Sequence, residues 1–144
     1  PTDSHVIPAL IRRFHNAKIK NLKEVVVWGT GKPRREFLYV DDLASACIKI
    51  VKINKNKFSK IVKNNTSHIN VGYGSDITIR ELVAKIASIT EYKGKIIFDR
   101  SKPDGTPRKL LDISLMKSIN WKPIYDLNEG LIKTYAFFQK ETKK

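Results

Sequence analysis

The chain has 144 residues, of which 41% are hydrophobic and 29% charged, a balance typical of one soluble globular domain and not of a disordered or low-complexity protein. No apolar run approaches the ~20 residues of a membrane span and Cys47 is the only cysteine, so membrane proteins and disulfide-stapled secreted proteins are excluded and a cytoplasmic location is expected. Lys and Arg number 28 against 14 Asp and Glu, which gives a net charge of +14 and a general attraction for polyanions.

Apolar periodicity at the start of the chain predicts a helix over residues about 4 to 20, with Ser4 as its N-cap. Val25–Trp28 is a β-branched run that predicts a strand, and the loop Gly29–Pro33 closes it. Phe37–Val40 is predicted to be a second strand. A strand, a tight loop and another strand are therefore expected after the first helix.

A second helix is expected to be capped by Asp41 and Asp42. Its predicted apolar stripe consists of Leu43, Ala46, Cys47, Ile50 and Val51. Because Cys47 lies on this stripe, it is interpreted as a packing residue and not as a nucleophile. Residues 53–67 are polar and rich in Lys and Asn, which predicts a mobile surface loop.

The middle of the chain predicts a strand at His68–Val71 and another at Lys95–Asp99. Between them, Thr78 and Glu81 have capping-box spacing at the start of an amphipathic helix. Residues 101–107 are rich in turn-forming types and predict a loop.

The C-terminal part is predicted to hold a short helix over 113–119 and a last helix that Asp126 caps. The expected apolar face of the last helix consists of Leu127, Leu131, Ile132, Tyr135 and Phe138. Helices and short strands thus alternate, which predicts an α/β fold. No Gly-rich strand-to-helix turn of the dinucleotide-binding type occurs in the sequence, and the chain begins with Pro1, so it is interpreted as the downstream piece of a longer polypeptide.

Four groups of residues could carry chemistry. The pair Arg34-Arg35 beside a loop suits bidentate phosphate binding, or is a solvated pair. Trp28 ends a strand and could stack on a base, or belong to the core. His5 lies at a helix start, where the dipole disfavours its cationic form and helps it to lose a proton, although a lone histidine is more often structural. Asp104 lies in a loop whose turn chemistry alone explains it.

These residues by themselves support only the binding of an anionic ligand. The sequence has no zinc-finger spacing, no aromatic ribonucleoprotein motif and no GXXG-type loop, so neither a metal site nor specific nucleic-acid binding is predicted. Many of the basic residues are lysines in stretches such as Lys49–Asn65, which is typical of a solvated face.

Several segments, taken in order, resemble the C-terminal substrate-binding part of the GDP-L-fucose synthases, which are extended short-chain dehydrogenases/reductases. The most specific are Ser4–Leu10 (Ser-His-Val-Ile-Pro-Ala-Leu) and Lys102–Lys109 (Lys-Pro-Asp-Gly-Thr-Pro-Arg-Lys). Arg35–Asp42 matches a pattern shared across the whole superfamily, and the resemblance continues through His68–Gly74 and Thr78–Leu82.

The resemblance implies a dual oxidoreductase and isomerase. Such an enzyme epimerises GDP-4-keto-6-deoxy-D-mannose at C3 and C5, then reduces C4 with NADPH to give GDP-L-fucose. By position, His5 matches the acid of the epimerisation. Arg13, Trp28, Arg35 and Asp104 match the family's substrate contacts.

The resemblance further implies that residues 1–144 are a substrate-binding domain without the N-terminal Rossmann domain, to which the reduction residues and the epimerisation cysteine belong. The full-length enzyme would bind NADP(H) and form a homodimer. This chain alone is expected to be inactive and not to bind the cofactor specifically; its cofactor contacts are unknown, with His5 adjacent to them. Two alternatives stay open: another nucleotide-sugar epimerase or dehydratase of the superfamily, which the Lys102–Lys109 loop disfavours, and a basic polyanion-binding module.

Overall fold

A computed structural model describes residues 5–62 and 68–142, and these residues form six helices and five strands. The helices are α1 (Val6–Ile19), α2 (Val40–Val51), α3 (Lys55–Ile61), α4 (Ile79–Ile89), α5 (Ser114–Ser118) and α6 (Leu127–Thr142). The strands are β1 (Glu24–Trp28), β2 (Arg34–Glu36), β3 (Asp76–Thr78), β4 (Lys95–Asp99) and β5 (Arg108–Lys109). One sheet pairs β1 with β4, and the other holds three strands in the order β3, β2, β5. This alternation confirms the predicted α/β fold.

The chain divides into two compact units, each assembled from separate stretches of sequence. The first unit consists of Pro1–Arg34, Ile77–Arg108 and Leu131–Lys144. The second unit consists of Arg35–Asp76 and Lys109–Gly130.

The core of the first unit lies around the parallel strands β1 and β4, with α1 packed against β1 and α4. Phe14 is fully buried, and its ring meets that of Tyr92 edge-on with 5.4 Å between the centroids. The other buried apolar side chains of these elements are Leu10, Ile11, Ala17, Val25, Val27, Leu82, Val83, Ile86 and Ala87. Because the two strands are parallel, their carboxyl ends, Trp28 and Asp99, lie side by side at one edge of the sheet.

The core of the second unit is a cluster of four buried side chains. They are Ala46, Met116, Ile119 and Trp121. The indole N–H of Trp121 donates to the hydroxyl of Ser45 at 3.0 Å, so the buried ring keeps a hydrogen bond.

Two carboxylates hold the loops of the second unit. Glu36 accepts hydrogen bonds from the main-chain N–H groups of Gly74 at 2.5 Å and Leu111 at 3.0 Å. Asp42 is only 1% exposed and accepts from the N–H groups of the consecutive residues Ile124 and Tyr125 at 2.9 and 3.0 Å. Each carboxylate thereby supplies acceptors to loop N–H groups that have no strand partner.

Most local predictions are confirmed. The first helix, the strands at 25–28 and 95–99, and the short helix within 113–119 form where periodicity predicted them. Thr78 and Glu81 make a complete capping box on α4, with both reciprocal hydrogen bonds present. At α6, Asp126 accepts from the N–H of Glu129 at 2.8 Å, as the predicted cap requires.

The start of the first helix differs from the prediction in one detail. His5 occupies the N-cap position of α1 and makes no side-chain capping hydrogen bond. Ser4, the expected cap, lies outside the described residues.

The predicted strand at Phe37–Val40 is wrong, and so is the cap at Asp41 and Asp42. Strand β2 ends at Glu36 because its neighbours β3 and β5 are only three and two residues long. Residues 37 and 38 belong to no strand, and α2 begins at Val40 after the extended N-cap residue Tyr39. The two aspartates lie in the first turn, where the helix dipole still favours negative charge.

Two further predictions in the second unit are wrong. His68–Val71 forms no strand, because within the described residues no strand lies beside it; Ile69 and Val71 pack instead on the buried cluster. The predicted loop at 53–67 contains helix α3, which Asn54 caps by accepting from the N–H of Lys57. Residues 63–67 lie outside the described part of the chain.

The interpretation of Cys47 as a packing residue is also wrong, because its side chain is exposed. Helix α2 is apolar around most of its circumference, and only the side with Ala46 and Ile50 meets the core. Leu43 and Val51, which were assigned to the buried stripe, are 43% and 83% exposed. None of the helices in the described residues is long and apolar enough to cross a membrane.

We expect Asp42→Ala to lower the free energy of unfolding by roughly 2–4 kcal/mol, because it leaves two loop N–H groups without their charged acceptor. Urea unfolding followed by circular dichroism measures this change. Asp41→Ala is the matched control, since Asp41 is exposed on the same helix turn and should cost less than about 1 kcal/mol. Equal losses in both variants would contradict the role of Asp42.

Candidate functional site

The carboxyl edge of β1 and β4 is the natural place for a ligand in the first unit. In α/β sheets, ligands bind outside the carboxyl ends of parallel strands, where loops rather than strands fill the space. Here Trp28 and the Gly29–Pro33 loop follow β1, and Arg100 to Pro107 follow β4. All residues of the chain from 101 to 110 are exposed.

Trp28 is 66% exposed at this edge, so the alternative that it belongs to the core is wrong. The Lys102 ammonium lies 5.7 Å from the centroid of its ring, within range of a cation–π interaction. Trp121, by contrast, is buried. Trp28 therefore offers an open aromatic surface with a cation beside it.

A groove of about 400 Å³ runs between α1 and the outer face of β1. Strand alternation turns Glu24, Val26 and Trp28 to this face, while Val25 and Val27 enter the core. The groove is lined by Arg13, Asn16, Ala17, Lys20, Leu22, Glu24, Val25, Val26 and Trp28. Its volume lies within the range of small-molecule sites.

Arg13 projects from α1 into the groove and donates from Nη1 to the carbonyl of Val26 at 2.6 Å. This bond fixes the guanidinium beside β1. Because the group carries five N–H donors, it keeps donors for phosphate oxygens of a ligand in the groove.

Asp104 holds the turn that follows Trp28. Its carboxylate accepts from the main-chain N–H and from the hydroxyl of Thr30, both at 2.6 Å. The bond from the Thr30 hydroxyl, with that from the N–H, lowers the pKa of the Asp104 carboxyl below its usual value. An ionised carboxylate has about four acceptor positions, so Asp104 can still accept from hydroxyls of a ligand.

The Gly29-Thr30-Gly31 turn does not fit a dinucleotide pyrophosphate. Gly29 and Gly31 have φ angles of +83° and +75°, but the space that a glycine leaves open is filled by the protein itself. A Cβ at Gly29 would meet the Asp104 carboxylate, and one at Gly31 would lie 2.6 Å from the Phe98 ring. The turn also leads into strand β2 and not into a helix N-terminus.

The structure brings some of the predicted site residues together. Arg13 and Trp28 line one groove, and Asp104 contacts the turn next to Trp28. His5 is exposed at the N-terminus of α1 and is not among the residues that line the groove. Arg35 belongs to the second unit, where it lies half-buried in β2.

Sequence reasoning missed three residues that form contacts at the turn after β1 or beside Trp28. They are Thr30, Lys102 and Arg80. Arg80 donates from Nη2 to the Thr30 carbonyl at 2.8 Å. The sequence did contain an indication for Arg80. It lies in the first turn of a predicted helix, where the helix dipole disfavours a cation, so its side chain is expected to find a partner elsewhere. Within the described residues, no group of three or more His, Cys, Asp or Glu side chains could hold a metal ion.

Comparison with known proteins shows which family this chain belongs to. Residues 1–72 match the family described as NAD dependent epimerase/dehydratase. A GDP-L-fucose synthase from Escherichia coli (strain K12) is 51% identical over 138 residues, which cover 96% of this chain and 43% of that protein. A probable GDP-L-fucose synthase 1 from Oryza sativa subsp. japonica is also 51% identical over 138 residues, covering 96% of this chain and 39% of the relative.

Among solved structures, MlghC, a GDP-mannoheptose C4 reductase from Campylobacter jejuni with NADP bound, is similar at a TM-score of 0.81 and 35% identity. The match covers 94% of this chain and 45% of that one. The chain therefore spans less than half the length of the relatives it matches.

Asp104→Asn should test the bonds to Thr30 through their pH dependence. A carboxyl whose pKa is lowered on folding stabilises the protein above its unfolded pKa of about 3.9, and this contribution is lost as the pH falls through the folded pKa. We expect the unfolding free energy of the unsubstituted protein to exceed that of Asp104→Asn at pH 7, with the difference falling once the pH drops below about 4 and vanishing only below the folded pKa. Urea unfolding across this range measures it.

Thr30→Val removes one of the two donors and serves as the background control. In that background the difference between Asp104 and its Asn variant should shrink. A difference that stays the same from pH 7 down to about pH 2 would show that ionisation of Asp104 plays no part.

Proposed function

Because the chain belongs to the NAD dependent epimerase/dehydratase family, we propose that it is the substrate-binding part of a GDP-L-fucose synthase. The whole enzyme would epimerise GDP-4-keto-6-deoxy-D-mannose at C3 and C5 and reduce C4. The observation that carries the proposal is the exposed Trp28 at the carboxyl edge of β1, beside a groove with Arg13. This arrangement suits a nucleoside diphosphate, with an aromatic surface for the base and a guanidinium for phosphate.

Each site residue has a defined task in this proposal. Trp28 stacks on the guanine, and Arg13 and Arg35 bind the diphosphate through charge-assisted hydrogen bonds. Asp104 accepts from substrate hydroxyls with the acceptor positions that Thr30 leaves unused. Together these contacts would fix the position of the hexose relative to the reacting groups.

His5 is proposed as the proton donor of the epimerisation. The C4 ketone makes the hydrogens at C3 and C5 acidic, so a base can remove one and leave an enolate. Return of a proton to the opposite face inverts the carbon, and His5 is the group proposed to deliver it. An imidazole is suited to this step because it can both donate and accept a proton.

NADPH would supply the hydride for reduction at C4 when bound by the rest of the full-length enzyme. The two Gly-X-Gly segments of the sequence do not form a pyrophosphate cradle, since Asp104 and Phe98 fill the space beside Gly29 and Gly31, and Glu36 and Ile113 fill the space beside Gly72 and Gly74. The task of the chain in the reduction is therefore to hold the sugar nucleotide. A cytoplasmic homodimer is the form proposed for the full-length enzyme.

Two other functions stay distinguishable from this one. MlghC is a reductase of GDP-mannoheptose, so a related enzyme acting on a different GDP-sugar would also be compatible with the fold and the groove. The net charge of +14 favours a polyanion-binding module as the second candidate.

Nucleotide titrations followed by tryptophan fluorescence test the proposal. Trp28 is exposed and Trp121 buried, so a base that stacks on Trp28 should quench the exposed component. We expect saturable quenching by GDP, a weaker response to ADP and UDP, and loss of the response in Trp28→Phe. A response that is equal for all nucleotides and falls steeply with salt would favour the polyanion-binding module.

His5→Gln in the full-length enzyme should lower kcat for epimerisation by about 10²–10⁴-fold with little change in KM, because a proton donor acts mainly in the transition state. Hydride transfer to an already epimerised 4-keto sugar nucleotide should be largely preserved. Steady-state kinetics on the two substrates measure both steps.

His15→Gln is the matched control. Its Nδ1 lies 2.9 Å from the Tyr135 hydroxyl and its ring meets Phe138 edge-on, so its replacement should affect packing and leave both steps close to wild type. Intact epimerisation in His5→Gln would assign His5 a structural role at the helix start.

A further inference from the structure

One carbonyl joins the strand end that carries Trp28 to the turn that carries Lys102. Trp28 lies opposite Asp99 in the parallel pairing of β1 and β4. The Asp99 carbonyl accepts from the N–H of Gly29 at 2.9 Å and from the N–H of Lys102 at 3.3 Å. The side chains of Trp28 and Lys102 therefore start from neighbouring points of the same sheet edge.

The side chain of Asp99 holds the turn after β4. Its Oδ1 accepts from the Ser101 hydroxyl at 2.6 Å and from the Ser101 N–H at 3.0 Å. The bond from the hydroxyl, with that from the N–H, lowers the pKa of the Asp99 carboxyl, and the nearby Lys102 ammonium lowers it further. Asp99 thus accepts within its own turn and restrains the backbone from which Lys102 projects.

The Lys102 ammonium lies over the Trp28 ring, 5.7 Å from its centroid. Two aromatic rings that stack with an offset have their centroids about 4.5–7 Å apart. A base stacked on this face of the indole would lie at the same distance from the ring as the ammonium, so the two must lie side by side. The edge of the base then meets a group that has three N–H donors and no acceptor.

Guanine and adenine differ at the edge that such a donor can bind. Guanine presents two adjacent acceptors, O6 and N7, whereas adenine has an amino donor in place of O6. An ammonium can donate to both acceptors of guanine, but on adenine it meets another donor beside N7. A lysine at the edge of a stacked base therefore favours guanine.

We propose that Lys102 is a specificity-determining residue for the base: its ammonium donates hydrogen bonds to O6 and N7 of a guanine stacked on Trp28. The inference rests on the proposed function, since it names the group of the same nucleotide site that distinguishes GDP from ADP. Trp28 offers every base the same aromatic surface, so stacking alone does not select guanine.

The test measures by calorimetry how GDP, inosine diphosphate (IDP), ADP and inorganic pyrophosphate bind to the 144-residue chain. IDP keeps O6 and N7 but lacks the amino group of guanine, ADP lacks O6, and pyrophosphate has no base. Lys102→Met keeps the length of the side chain and removes its donors. We expect it to weaken GDP and IDP binding about tenfold, the loss of roughly one charge-assisted hydrogen bond, and to change ADP and pyrophosphate binding by less than about threefold.

Two further variants control for folding and for net charge. Lys102→Arg keeps donors for both acceptors and should retain the preference for GDP over ADP. Lys95→Gln removes an exposed cation from the opposite, amino end of β4 and should leave all affinities near those of the unsubstituted protein. The thermal unfolding midpoint of each variant is measured alongside.

Equal losses of GDP and ADP binding in Lys102→Met would overturn the proposal, because the ammonium would then strengthen stacking of any base. A tenfold loss of pyrophosphate binding would overturn it as well, since Lys102 would then bind phosphate. So would a folded Lys102→Arg protein that has lost the preference for GDP.

The unsubstituted protein tests the proposed function separately. If it binds GDP no more tightly than pyrophosphate, the base makes no contact and the nucleotide site itself is wrong. If it prefers GDP to ADP and this preference survives in Lys102→Met, only the role of Lys102 is wrong.

Discussion

Loop N–H groups need acceptors, and in this chain side-chain carboxylates provide many of them. Its short strands end after two to five residues, so long stretches of backbone pass outside any ladder of hydrogen bonds. Glu36 and Asp42 accept from such N–H groups in the second unit, and Asp104 does so in the first. Bonds to an ionised acceptor are stronger than neutral ones, which lets few contacts fix much irregular backbone.

Charged side chains also hold the turn beside the proposed nucleotide site. Asp104 and Arg80 come from loops and a helix far from Thr30 in sequence, yet both act on this one residue. Asp104 accepts from the N–H of the peptide before Thr30, and Arg80 donates to the carbonyl of the peptide after it, so the turn that follows Trp28 is restrained on both sides of Thr30. The Trp28 ring, open to solvent at the end of β1, is suited to stacking on a planar ligand.

Local signals in the sequence predicted the parts of the fold that are determined locally. The Thr78–Glu81 capping box is an example, because both partners lie within one helical turn. The predicted strand at His68–Val71 failed because a strand exists only when another strand lies beside it. The sequence predicted Trp28 and Asp104 as site residues, which stays a prediction, but it held no local pattern for the bond from Thr30 to Asp104, which spans 74 residues. The buried side of α2 could not be read from its sequence, because its wide apolar sector also holds Leu43, Cys47 and Val51, which are exposed.

The division of the chain into two interleaved units bears on its synthesis. The chain passes between the units at residues 34, 76, 108 and 130, so neither unit is a continuous segment. On the ribosome, every residue of the second unit is made before Leu131. The first unit is complete only after its last segment, Leu131–Lys144, has been made, and this segment contains the buried Tyr135. Of the two units, the one that carries Trp28 is begun first and completed last, so its core is complete only after the final helix has been made.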